Sequence, residues 1–257
     1  MVGLNMSEDI SHILRNWPFD EQDLNVRYIK GDDGTIKVQM RLDLGIMQME
    51  LDGRPDGQRP HNADSYFEYF ESQAKMLSSA GHPKMFHLSP EDCVKLQLEA
   101  VQYYHRYLAL MKLRDFPRVV RDTSRNLRLF TFIERYCDND EIVWQFIQHR
   151  PYVIMINARA RAMLEIEHGD YQMALDIIHD GISSIREFNE KWSDRVGPDF
   201  PELEFLESWY KEISELRPLS EKERLMQELE RAVSIEDYER AAILRDKLAA
   251  LEKLLKF

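Results

Sequence analysis

The chain has only two cysteines, Cys93 and Cys137, in 257 residues. Two thiols cannot build a disulfide framework, and alone they cannot complete a four-ligand zinc site. Glycine and proline are equally sparse, ten of each, which excludes collagen-like and low-complexity chains. No apolar run approaches the roughly 20 residues a membrane-spanning helix needs. Residues 1–11 lack the basic head and apolar stretch of a secretory signal, so a reducing, cytoplasmic location is expected. Positive charge is also short, with 34 Lys+Arg against 46 Asp+Glu, a formal −12. A field of that sign repels phosphate and argues against direct nucleic-acid binding. The eight histidines are scattered without a second ligand at metal spacing, so no metal and no cofactor is expected. What is present is 44% apolar and 11% aromatic residues, enough for a packed core.

Residues 25–52 alternate with a period of two. Ile36, Val38, Met40 and Leu42 share one face of a strand, and Met47, Met49 and Leu51 one face of the next. With a turn at Gly31–Gly34 and another at Arg54–Gly57, this predicts a three-stranded antiparallel meander. Beyond residue 63 the spacing is helical. Asp64 is placed to cap a helix carrying Phe67 and Phe70. Ser89-Pro90-Glu91-Asp92 opens one that runs to about Lys112. Further helices are predicted over 116–136, 141–149, to Glu167 after Pro151, over 171–191, and over 202–216 beyond the loop at Gly197–Pro201. The fold class is therefore α+β, mostly α. Three regions are expected: a β-meander over 1–62, a helical-hairpin body over 63–216 and a two-helix hairpin over 217–257.

Two stretches of the body repeat at an offset of 55 residues: Asp115-Phe116 falls on Asp170-Tyr171, and Val119-Val120 on Ala174-Leu175. The second copy resembles a tetratricopeptide-type helix hairpin, although the period is longer than is usual there. The resemblance implies that each aromatic is buried at its turn and that small residues let the helices approach.

After Pro218, Ser220 and Glu223 have the spacing of a capping box. Leu225, Met226, Leu229, Ala232 and Val233 make one stripe, and Tyr238, Ala241, Ala242, Leu244, Leu248, Leu251 and Leu255 line a returning helix. The segments Glu228–Val233, Glu236–Ala242 and Leu244–Leu248 resemble the UVR motif of the excision-nuclease subunits UvrB and UvrC. That motif also occurs in Clp-type ATPases and in the activator of a bacterial protein arginine kinase. The resemblance implies protein association through Leu225, Leu229, Tyr238, Ala241, Ala242, Arg245 and Leu248, with another UVR-motif protein or a second copy, and no catalysis. The phrases Met49–Gly57 and Val120–Arg128 are similar to a group of bacterial proteins known by that same motif, which brings no activity with it.

Arg118, Arg121, Arg125 and Arg128 recur at helical spacing, with Arg114 just before them. Such a row is a candidate face for an anion or an acidic partner; its alternative is pairing with the chain's own carboxylates. Cys93 falls in the first turn of a helix, where the dipole can lower its pKa. Tyr103, Tyr104 and Tyr107 read as core or groove lining. The segment 217–257 holds nine basic and nine acidic residues, so the body carries the whole negative charge. A neutral hairpin on an acidic body suits a non-enzymatic interaction protein. Two alternatives stand beside it: an accessory factor of excision repair that contacts DNA or the excinuclease, and an enzyme with a site between meander and helices.

Overall fold

The computed structural model describes residues 9–218 and 221–254. Strands β1 (Val26–Lys30), β2 (Ile36–Leu42) and β3 (Gly45–Glu50) form an antiparallel sheet in the order β1-β2-β3. The register sets Tyr28 opposite Val38, and Val38 opposite Met49. Gly34 takes φ 79° in the first turn, a conformation that suits glycine.

Val38, Met40 and Met49 face the core as their alternation predicts, whereas Ile36 and Leu42 at the strand ends are exposed. The opposite face is not left to water, because Lys37, Gln39 and Arg41 are buried as well. The preceding chain covers the Arg41 end, and Lys37 at the other end pairs with Asp33 and Glu50. Helix α1 (Ser11–Asn16) leads into Trp17, whose carbonyl accepts from Arg41 Nε at 3.0 Å and whose ring lies 3.9 Å from the Arg27 guanidinium. Across the same face Arg27 Nε donates to Gln39 Oε1 at 2.9 Å, and Gln39 Nε2 donates to Gln48 Oε1 at 2.9 Å. These polar groups are buried because they satisfy one another.

The helices are α2 (Tyr66–Ser79), α3 (Pro90–Lys112), α4 (Phe116–Tyr136), α5 (Asp140–Ile147), α6 (Arg150–His168), α7 (Tyr171–Lys191), α8 (Pro201–Leu216), α9 (Glu221–Ser234) and α10 (Tyr238–Leu254). Ser89 caps α3, accepting from Asp92 N at 3.2 Å. At α2 the cap is Ser65 and not Asp64: Ser65 accepts from Glu68 N, while Asp64 turns to Arg59 at 2.7 Å. Pro151 occupies the first turn of α6, where a missing N–H leaves no bond unmade. The capping box expected at Ser220 lies outside the described residues.

One core cluster packs the sheet on α3, α4 and α6 through Val38, Met40, Met49, Tyr107, Leu110, Phe116, Val119, Ile156 and Ala160. Another joins α2 to α5 through Phe67, Leu96, Leu129, Phe132, Ile133 and Ile147. Because the sheet shares its core with helices, the boundary expected at residue 62 separates no compact units. The chain divides instead inside α8, between Tyr210 and Lys211.

Close helix approach has a specific cause at Gly181 of α7. A Cβ there would lie 2.9 Å from Ala158 Cβ on α6 and 3.2 Å from Leu206 Cδ1 on α8. Ala158 Cβ is fixed to its backbone and cannot rotate away. Gly181→Ala should therefore cost about 1–3 kcal/mol through overpacking, in spite of alanine's better helix propensity. A thermal midpoint equal to or above that of the parent chain would show that the helices do not meet there.

Candidate functional site

Three helix pairs close with the same turn. Between α3 and α4, Arg114 takes φ 60° and Asp115 N donates to Leu110 O at 2.9 Å. Between α6 and α7, Gly169 takes φ 83° and Asp170 N donates to Glu165 O at 2.9 Å. Between α9 and α10, Glu236 takes φ 62° and Asp237 N donates to Ala232 O at 2.9 Å. Each is a Schellman closure, in which a left-handed residue ends one helix. The following aspartate then caps the next: Asp115 accepts from Arg118 N, Asp170 from Met173 N and Asp237 from Arg240 N. An aromatic follows every time: Phe116, Tyr171, Tyr238. The third copy is also written in the sequence, as Asp237-Tyr238 followed by Ala241-Ala242.

The three aromatics have different surroundings. Phe116 is 3% exposed in the core under the meander, Tyr171 is half-buried, and Tyr238 is 68% exposed. Equivalence at the turn does not extend to equivalence in burial, because what covers an aromatic comes from elsewhere in the chain.

Within the hairpin of α9 and α10, Leu225, Leu229, Ala232, Ala241 and Leu244 pack on one another. Leu225, Leu229 and Ala241, expected to face a partner, thus form the hairpin's own seam. Ala242 and Leu248 are half-buried, and Arg245 is exposed. Among the described residues of the hairpin, the exposed large apolar ones are Tyr238, Met226, Val233, Ile235 and Ile243. Met226 and Val233 stand about two turns apart on one face of α9, and Ile235 and Tyr238 flank the turn. The single stripe legible in the sequence therefore divides into an internal seam and an uncovered set.

The arginine row of α4 is not an open basic face. Arg114 meets Glu167 at 2.8 Å, Arg118 meets Asp115 at 2.8 Å, and Arg128 meets Glu71 at 3.0 Å. Arg121 donates to Asp122 at 2.9 Å and also reaches Asp52. Arg125 is buried against Glu99 and lies 4.2 Å from the Tyr103 ring. The row ties α4 to α2, α3, α6 and the segment after β3. Its Asp115 partner holds the Arg118 guanidinium above its usual range.

A groove of about 860 Å³ beside the meander is lined by Tyr28, Asp52, Arg54, Arg59, Asp115 and Arg118. Burial, then the hydrogen bond to Asp115, pushes the Tyr28 phenol up to about 12. Among the buried groups, Glu99 accepts from Tyr66 N at 2.8 Å and Phe67 N at 3.1 Å, and meets Arg125 and Arg54. Both of its carboxylate oxygens are thus occupied by donors of the chain itself. Tyr103 and Tyr107 are buried in the core, and Tyr107 also lines, with Tyr104, Tyr152, His105 and His149, a cavity of about 470 Å³. Burial lowers the pKa of both imidazoles there, favouring their neutral form. Burial, and then the neighbouring Cys137 thiol, push the Cys93 thiol up to about 12, opposite to the sequence expectation.

No curated protein and no solved structure matches the chain. A family model does match its end: residues 220–254 match the UvrB/uvrC motif, whose members mediate protein–protein interactions, and that span is the hairpin of α9 and α10.

Proposed function

We propose that the protein is a non-enzymatic interaction protein that docks a partner through its C-terminal hairpin. The observation that carries this is Tyr238. It stands at the turn position that Phe116 occupies in α3–α4, yet it is exposed where Phe116 is covered by the chain's own sheet. A partner surface would supply the missing cover, and Ile235, Val233 and Met226 would extend the contact. The seam of five small and branched residues is too little core for an isolated pair of helices, which gives the hairpin a further reason to associate. The partner is a second hairpin of the same motif, on another protein or on another copy. DNA contact receives less support, because the arginines of α4 are engaged by carboxylates.

The test titrates the full chain against a second full-length protein that carries the UvrB/uvrC motif by calorimetry, with sedimentation to read self-association. Replacing Tyr238 and Ile235 together with serine should weaken association about tenfold or more, since exposed aromatic anchors dominate such contacts. Far-UV circular dichroism should stay unchanged. Leu229→Glu should remove both association and hairpin helicity, because it strikes the seam. Association that survives the serine pair at full strength would place the contact elsewhere.

A further inference from the structure

The only two cysteines of the chain, 44 residues apart in sequence, are side by side in the fold. Cys93 opens α3 and Cys137 ends α4. The Cys93 thiol points to Cys137 Sγ at 3.8 Å, and the Cys137 thiol to Asn139 O at 3.8 Å. The backbone around them is already tied, since Leu88 N donates to Tyr136 O at 2.9 Å. A disulfide needs sulfurs about 2.05 Å apart, so side-chain rotation with a small backbone shift has about 1.8 Å to close. Burial differs between the two: Cys93 is buried, whereas Cys137 is partly open to solvent.

We propose that Cys93 and Cys137 are an oxidative modification site, a dithiol that a low-molecular-weight disulfide converts to an internal disulfide between α3 and α4. Cys137, within reach of solvent, reacts first. Its sulfur attacks one sulfur of the small disulfide, the old S–S bond breaks, and the released thiolate takes up the Cys137 proton. Cys93 then attacks Cys137 sulfur and gives up its proton to the second departing thiolate. Two protein thiols are oxidised and one small disulfide is reduced to two thiols. The buried Cys93 thiol, with its raised pKa, is a poor first nucleophile. That assigns it the second, resolving step. The product staples the start of α3 to the end of α4, next to Tyr136, Phe132 and Trp192, which line a groove of about 770 Å³.

The test incubates the full native chain with oxidised glutathione and reads intact mass and non-reduced peptide maps. The parent chain should lose one hydrogen from each thiol and yield a peptide linking residues 93 and 137. Cys93→Ala should instead trap glutathione on Cys137, and Cys137→Ala should stay unmodified while folded. A parent chain that keeps both thiols, stops at the glutathione adduct, or links only to a second copy would overturn the proposal. So would an internal disulfide that forms only after denaturation. Modification of Cys93 in a folded Cys137→Ala chain would overturn the assigned order.

Discussion

Replacing Asp122 with alanine should cost about 3–5 kcal/mol of folding stability, the usual loss when one partner of a buried ion pair is removed. Arg106 and Asp122 are both fully buried. Arg106 Nε and Nη2 donate to the two carboxylate oxygens at 2.7 and 2.9 Å, a planar two-point contact. The same guanidinium donates from Nη1 to Glu50 O and Gly53 O, both at 2.9 Å. Without Asp122 a desolvated cation remains in the core, and Arg121 loses one of its carboxylate partners. Changing both residues to apolar ones, Arg106→Met with Asp122→Leu, removes the stranded charge and should recover part of the loss; the two carbonyls left without a donor limit the recovery. Denaturant midpoints of the three chains decide this. A single variant that costs less than about 1 kcal/mol, or a double variant no better than the single, would show that the pair is not desolvated.

The second large effect falls on Phe116. Truncation to alanine removes a ring packed among Val38, Met40, Leu110 and Ile156 and should cost about 3–5 kcal/mol. That is a large share of a typical stability of about 5–15 kcal/mol, so the variant should melt early or express poorly. Tyr171→Ala, at the matching turn but half-buried, should cost about 1 kcal/mol. Tyr238→Ala should leave the melting of the isolated chain unchanged. Thermal unfolding of the three variants checks the order. Equal losses at Phe116 and Tyr171 would mean that the turn, and not its cover, sets the energy.

Local rules account for what could be read in advance. Alternation named the three strands, and Ser89 marked a helix start through a side chain that satisfies an N–H group a few residues away; Asp115 and Asp170 cap their helices in the same way. Such interactions close within one turn, so a short window of sequence contains both partners. The motif at residues 220–254 was legible for the same reason: its turn, its cap and its aromatic are neighbours in sequence. Asp64 failed as a cap because Ser65, one residue on, makes the same bond while Arg59 takes the aspartate.

By itself, then, the sequence determined which residues share a face, where most of the helices run, and which segment carries the UvrB/uvrC motif. Only the tertiary structure decided what lies against each face. The polar side of β2 is covered because Trp17 folds back onto Arg41 from 24 residues away. The arginine row became a set of internal ties because Asp52, Glu71, Glu99 and Glu167 reach it from four other segments. The two thiols meet because α3 and α4 run antiparallel, which puts the start of one beside the end of the other. Helical and strand periods fix directions around an axis, and they hold no record of which remote segment will bury a given direction. Phe116 and Tyr238 stand at the same kind of turn, yet one lies in the core and the other is exposed, because only the first has a remote segment packed over it.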